Sequence, residues 1–225
     1  MVDEPPESAS RLSGPHGHVE PPLAMMHEVA ETQARVDAPR LPLQANWRLV
    51  WFATSIYGGL AMIALALRAW HSGEWLPLAD LDPTGVPLLP TIAGLAGAGI
   101  LLAWSPWMMR HWAWSRHLAV AMRETFGPVG WRGAFLLGLS SGVAEELLFR
   151  GALQPLLGPV VATILFALAH GIGWWSLFAG LAGAGLAALT IASEGNLWPA
   201  ILAHVCLNTV NLTRFLAPQD CFYRR

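Results

Sequence analysis

The chain contains no lysine. All thirteen of its basic residues are arginine, and charged residues of both signs make up only 12 % of its 225 positions. Ordinary soluble domains carry about 25 % charged residues, so this composition excludes the usual soluble globular class. The net charge is −2 and the arginines are scattered, so the basic patch that a DNA or RNA binder presents to phosphate is missing. Nucleic acid is thereby excluded as a partner. Cysteine is nearly absent too. Cys206 and Cys221 are the only two and form no CxxC or zinc-ribbon spacing, which excludes a disulfide framework and leaves compartment undecided by thiol chemistry. The missing lysine, together with abundant alanine, glycine, proline and tryptophan, fits a GC-rich bacterial genome.

What the chain has instead is apolar sequence, 54 % of it hydrophobic with a mean hydropathy of +0.45. A membrane-crossing helix needs about 20 mainly apolar residues. Runs of that kind fall at roughly 47–69, 88–108, 131–153, 157–171, 174–192 and 197–215. The expected fold class is all-α: a polytopic membrane helix bundle of about six transmembrane helices with a disordered N-terminal tail. That tail, 1–44, holds Pro5, Pro6, Pro15, Pro21, Pro22, Pro39 and Pro42 and no sustained apolar period, as disordered segments do. It opens on MVDEPPESAS, which is acidic and lacks the apolar core of a signal peptide, so the first span is expected to be uncleaved. Residues 45–128 then read as N-terminal transmembrane helices and a cytoplasmic loop, 129–216 as a helical core that holds the chemistry, and 217–225 as a short cytoplasmic tail. The run at 157–171 is short and starts near Pro159, so it is tilted, partly embedded or continuous with its neighbour.

Cytoplasmic loops of membrane proteins are enriched in Lys and Arg near the span ends. Arg35, Arg40 and Arg48 precede the first span, Arg110, Arg116, Arg123 and Arg132 lie between the second and third, and Arg214, Arg224 and Arg225 end the chain. The loop at 70–87 carries Glu74, Asp80 and Asp82 instead, and the loop near 193–196 carries Glu194. This pattern predicts an integral, multi-pass protein of a bacterial inner membrane with both termini cytoplasmic. The octamer AGLAGAGI at 93–100 returns as AGLAGAGL at 179–186. Its flanks do not match, and small residues at such spacing let helices approach closely in lipid, so two independent packing faces are expected rather than a repeat. Tryptophans near the span ends, among them Trp47, Trp70, Trp107, Trp131, Trp174, Trp175 and Trp198, suit interfacial anchors.

Against that background a few polar groups stand out. Between 133 and 213 the titratable side chains expected at membrane depth are Glu145, Glu146, Arg150, His170 and His204, accompanied by the amide Asn208. A charge at a helix centre costs about 2.5–3.5 kcal/mol on insertion scales, so such residues face a bundle interior and mark function. Glu146 and Arg150 stand four apart, the spacing and order of an intrahelical ion pair. Glu145 points about 100° away and has no opposite charge on its own helix, so its partner must come from another. His170 ends the fourth span, one turn after Phe166, while His204 and Asn208 lie one turn apart on the sixth.

These residue types support hydrolysis. A carboxylate in a dry cavity beside a histidine can take a proton from water. Glu145 is thus a candidate general base, with His170 holding the water, and His204 and Asn208 could supply hydrogens to an oxyanion. Glu145, His170 and His204 are equally a two-histidine, one-carboxylate set of the kind that binds a catalytic divalent metal such as zinc, although the HExxH spacing is absent. Two other readings use part of the same set. GLSSG at 138–142 resembles the serine turn of rhomboid proteases, with Ser141 and His204 as a dyad. A membrane transporter or proton relay could employ the same Glu/His cluster, but the charged groups crowd the second half, without the duplicated halves that transporters often show.

EELLFR (145–150), FALAH (166–170) and HVCLN (204–208) fit EExxxR, FxxxH and HxxxN, in the order and on the late apolar spans of the CPBP intramembrane proteases. That group includes the CAAX prenyl endopeptidases of the Rce1 type and bacterial relatives linked to bacteriocin immunity. The resemblance covers roughly 130 to 213. It implies an intramembrane endopeptidase in which Glu145 and His170 activate water, His204 and Asn208 form the oxyanion site, and Glu146, Arg150 and Phe166 support them. It is compatible with a glutamate-dependent enzyme or a metalloprotease. The implied partners are the lipid bilayer and a membrane-anchored protein or peptide substrate.

Overall fold

The computed structural model describes residues 44–73 and 81–216, all within one compact unit, Leu43–Arg225. The expectations for the tail before residue 44, for Glu74, Asp80 and Cys221, and for 217–225 lie outside the described residues. Within them the fold is all-α, without a strand. Helix α1 is Trp47–Ser72, entered through Asn46, whose side chain accepts from the Leu49 N–H, and closed by left-handed Gly73. Helices α2, Leu88–His111, and α3, Ala113–Phe126, meet at an extended Trp112. Helix α4, Gly130–Glu146, runs on into a π-helical segment, Leu147–Leu153, and then α5, Gln154–Leu157. Proline at the first position opens α6, Pro159–Ala169, where its missing N–H costs nothing. Helices α7, Trp174–Ala192, and α8, Trp198–Phe215, complete the bundle.

Three of these helices are long and apolar enough to cross a membrane, namely α1, α2 and α7, and α6 is a shorter apolar helix. The expected six spans are therefore not all matched by that criterion. Length and composition both contribute: α4 has 17 residues before the π-helical segment and carries Arg132, Glu145 and Glu146, α6 has 11 residues, and α8 carries His204, Asn208, Asn211 and Arg214, which dilute the apolar character that a span shows when it faces lipid.

The segment read as a loop after the second span is in fact α3. In AWSRHLAVAMRETF, the side chains Trp114, Leu118, Met122 and Phe126 recur every four residues, and all four line one cavity. Arg116, Arg123 and Glu124 fall off that stripe, which makes α3 an amphipathic helix of the interfacial kind.

Helix α8 packs most extensively against α4 and next against α2. The α4–α8 contact depends on Gly138 and Gly142. A Cβ at 138 would lie 2.7 Å from the Thr209 nitrogen, and one at 142 would lie 3.0 Å from the Val205 nitrogen. Thus GLSSG is a small-xxx-small packing stripe that lets two backbones touch. The two glycine-rich octamers also pack on different partners. A Cβ at Gly94 would meet Pro199 O at 3.1 Å and Ala203 on α8, whereas one at Gly183 would meet Phe166 at 2.8 Å and Arg150 at 3.0 Å. Polar ties add to this frame, with Ser105 donating to Asn211 at 3.0 Å and Arg214 to the Leu102 carbonyl at 2.6 Å.

Candidate active site

The close α4–α8 contact sets the last turn of α4 beside the middle of α8. Glu146, fully buried, accepts from Arg150 at 3.0 Å and from His204 Nδ1 at 2.6 Å, both on the same oxygen. Arg150, in the π-helical segment, also donates to the Gly183 carbonyl at 2.8 Å and lies 4.3 Å from the Phe166 ring centroid. A buried ion pair is tolerated when such further bonds occupy the guanidinium. Gly183, in the second octamer, therefore supplies both an acceptor and the space for this arginine.

Glu145 turns to another side. Its Oε2 lies 3.8 Å from His170 Nε2 and 3.8 Å from His204 Nε2, and among the described residues it has no hydrogen-bond partner. The hydrogens on the two imidazoles can be assigned from their other nitrogens. His170 Nδ1 is 2.8 Å from the Phe166 carbonyl, which can only accept, so Nδ1 carries the hydrogen and Nε2 of the neutral ring is a lone pair. His204 Nδ1 donates to the Glu146 carboxylate, so its Nε2 is the nitrogen that faces Glu145. A carboxylate oxygen and two imidazole Nε2 atoms thus converge. Atoms 3.8 Å apart are too far for a direct bond but can share a water at about 2.8 Å from each.

A cavity of about 320 Å³ opens beside this cluster, walled in part by Tyr57, Ser141, Glu145, His170 and Asn208. Asn208 Nδ2 donates to Ser141 Oγ at 2.9 Å, and Ser141 donates weakly to the Gly138 carbonyl at 3.3 Å. Ser141 is therefore bonded to Asn208, whereas the two nitrogens of His204 face Glu146 and Glu145. This geometry does not form the serine–histidine dyad of the rhomboid-like reading. Phe166 joins the parts. Its ring lies 4.5 Å from His170, 5.9 Å from His204 and 5.1 Å from Phe149 between centroids.

The metal reading rests on Glu145, His170 and His204. Their chemistry suits zinc, but ligands about 2.05 Å from a tetrahedral ion stand about 3.3 Å apart, and both measured separations are half an ångström wider. Among the described residues, no group of three or more His, Cys, Asp or Glu is arranged to hold a metal ion. The donor types suit the ion while the two separations are wider than those of a closed tetrahedral site, and no step below runs through a metal.

Several features of the site were not anticipated from sequence. Tyr57 is one of two tyrosines in the chain, and a phenol on an otherwise lipid-facing helix was the available signal. The apolar stripe of α3 was another. Of the tryptophans expected as anchors, Trp47, Trp70, Trp131 and Trp174 are exposed near helix ends, while Trp107 and Trp175 join Trp104, Trp112 and Trp114 in a chain of ring contacts that reaches His170, with Trp175 at 5.9 Å.

An all-helical membrane bundle with a carboxylate and two imidazoles gathered at a buried cavity defines a class of site suited to hydrolysis within the membrane. Comparison with known proteins narrows the class. A family model described as type II CAAX prenyl endopeptidase Rce1-like matches residues 128–210, a stretch that contains Glu145, Glu146, Arg150, Phe166, His170, His204 and Asn208. Over that stretch the chain is similar to the Rce1-like family, which supports a protease of the CAAX type in a membrane setting. No curated protein and no solved structure matches.

Proposed function

We propose that the protein is an intramembrane endopeptidase that hydrolyses a peptide bond of a membrane-associated protein or peptide by means of a glutamate-activated water. The observation that carries this reading is the convergence of Glu145 Oε2 with the Nε2 atoms of two imidazoles at 3.8 Å each. A water held there donates one hydrogen to His170 and the other to Glu145. Its oxygen attacks the carbonyl carbon as Glu145 takes the proton. The oxygen of the resulting tetrahedral intermediate faces Asn208, whose second amide hydrogen is not used by Ser141. Collapse breaks the C–N bond while Glu145 returns the proton to the departing amine, so the carboxylate ends as it began. His204, held by Glu146 through Nδ1, turns its Nε2 to the same side of the site and is read with Asn208 as the oxyanion site that the family resemblance implies.

The substrate is read as a membrane-anchored protein tail or peptide, and the arginine pattern supports a bacterial inner-membrane protein with cytoplasmic termini. The experiment is a comparison of new protein N-termini in membranes holding the wild type or Glu145→Gln. Cleavage products that vanish with Glu145→Gln support the reading. No products with either chain, together with a proton flux in proteoliposomes that Glu145→Gln abolishes, would assign the cluster to a relay instead.

A further inference from the structure

The cavity beside Glu145 does not end at Asn208. Its wall continues along α8 through Asn211 and Leu212 to Phe215, under the apolar stripe of α3. Asn211 stands three residues after Asn208 and seven after His204, spacings that put all three on one face of the helix, and it lies beyond the matched stretch 128–210. Most of the wall is apolar. Of its serines and asparagines, Ser141 and Asn208 are bonded to each other at 2.9 Å, and Ser115 donates to the Met109 sulfur at 3.1 Å. Ser105 donates to Asn211 Oδ1 at 3.0 Å, which fixes that amide from α2. The two hydrogens on Asn211 Nδ2 then have no partner among the described residues. In an apolar cavity the carbonyls of an entering peptide need donors as much as this donor needs an acceptor.

We propose that Asn211 is a substrate-binding residue: its Nδ2 donates to a main-chain carbonyl of the peptide, one or two residues from the bond that is cut. This rests on Glu145 as the base. Along the helix axis Asn211 is about 4.5 Å from Asn208, and an extended chain advances about 3.3 Å per residue, which sets that offset. The substrate class follows from the group recognised. A main-chain carbonyl is open to Asn211 only where the peptide is extended, because in a helix it is already taken by the N–H four residues on. The segment that is cut is therefore an extended or unwound stretch, with apolar side chains set against Leu118, Met122, Leu212 and Phe215. A small number of placed polar groups fixes a ligand in an apolar pocket. Two asparagines on one face of α8, each tied to a serine of another helix, are such groups here.

The test uses the full chain in detergent and, as probe, a synthetic peptide that spans the commonest site cut by the wild type in a tryptic digest of bacterial membrane proteins. Analogues of the probe carry an alkene in place of one peptide bond at a time, on either side of the scissile one. The wild type loses about five- to tenfold in kcat/KM on one analogue, altered one or two residues from the cut. Asn211→Leu raises KM for the parent peptide by the same factor with kcat within twofold, and it is less than twofold sensitive to that analogue. Equal sensitivity of the two chains, or a parent KM unchanged by Asn211→Leu, overturns the proposal. Ser105→Ala removes the tie between helices but keeps Nδ2, and the analogue still costs this variant about fivefold. A Ser105→Ala chain as indifferent to the analogue as Asn211→Leu would assign the effect to the tie and overturn the proposal. Asn211→Asp, which keeps an acceptor for Ser105 and loses the donors, carries the same comparison if Asn211→Leu fails to fold. A wild type that cuts nothing, or an active Glu145→Gln, overturns instead the base assignment on which the proposal rests.

Discussion

Helices α1 and α4 have opposite characters. Of the most apolar window of α1, only 11 % is buried by the protein, and Trp51, Phe52, Ile56, Met62 and Ile63 stand exposed along its length. Helix α4 buries much of its face, including Glu145 and Glu146. The same division holds across the bundle. The helices that satisfy length and hydropathy, α1, α2 and α7, carry none of the site residues expected from sequence, and those that do not, α4 and α8 with the short α6, carry or adjoin all of them. In a bilayer the apolar residues are free to face outward, because lipid tails are as apolar as leucine, while polar groups are driven inward. In α4 and α8, lower hydropathy marks helices turned to the inside of the protein.

Substitutions can break that comparison in a graded way. The largest effect is expected for Glu145→Gln, which keeps shape and removes the base. Cleavage should fall by about 10²–10⁴-fold, with the melting temperature of the purified protein nearly unchanged. Arg150→Met comes next. It leaves Glu146 buried without its guanidinium, and a stability loss of about 3–5 kcal/mol is expected, read in denaturant or thermal unfolding in detergent. Gly142→Val forces a side chain against the Val205 nitrogen and should cost about 1–3 kcal/mol while also lowering activity, since the same contact sets Glu146 against His204. At the small end, Ile63→Ala on the lipid face of α1 should change stability by no more than about 0.5 kcal/mol. An Ile63 effect as large as that of Gly142 would erase the distinction between the two kinds of helix. Separately, chelation of divalent ions should leave the rate unchanged. Loss of activity on chelation with recovery on adding zinc would show that the cluster closes by half an ångström around a metal.

The all-α bundle and the cluster of site residues were legible in the sequence because each depends on a local pattern: apolar runs long enough to span a bilayer, and charged residues that have no reason to be inside one. Helical spacing alone separated Glu146, with its partner at Arg150, from Glu145, which had to find one elsewhere. Three things were less legible. Length and hydropathy do not decide the number of spans, because α8 and the α4 region mix polar groups into apolar runs. Ser141 looked like a nucleophile because GLSSG is also a packing stripe, and only the close approach of Thr209 and Val205 distinguishes the two. The place of Tyr57 on the cavity wall depends on how α1 packs against α4, and no spacing within α1 signals that.

The central claim is that water held between Glu145 and the imidazoles is the attacking nucleophile. Its most direct test is mass spectrometry of cleavage products formed in heavy-oxygen water by membranes carrying the wild type or Glu145→Gln. The account predicts one heavy oxygen in the new C-terminal carboxyl group with the wild type and no product with Glu145→Gln. Product formed at the same rate by Glu145→Gln would contradict it.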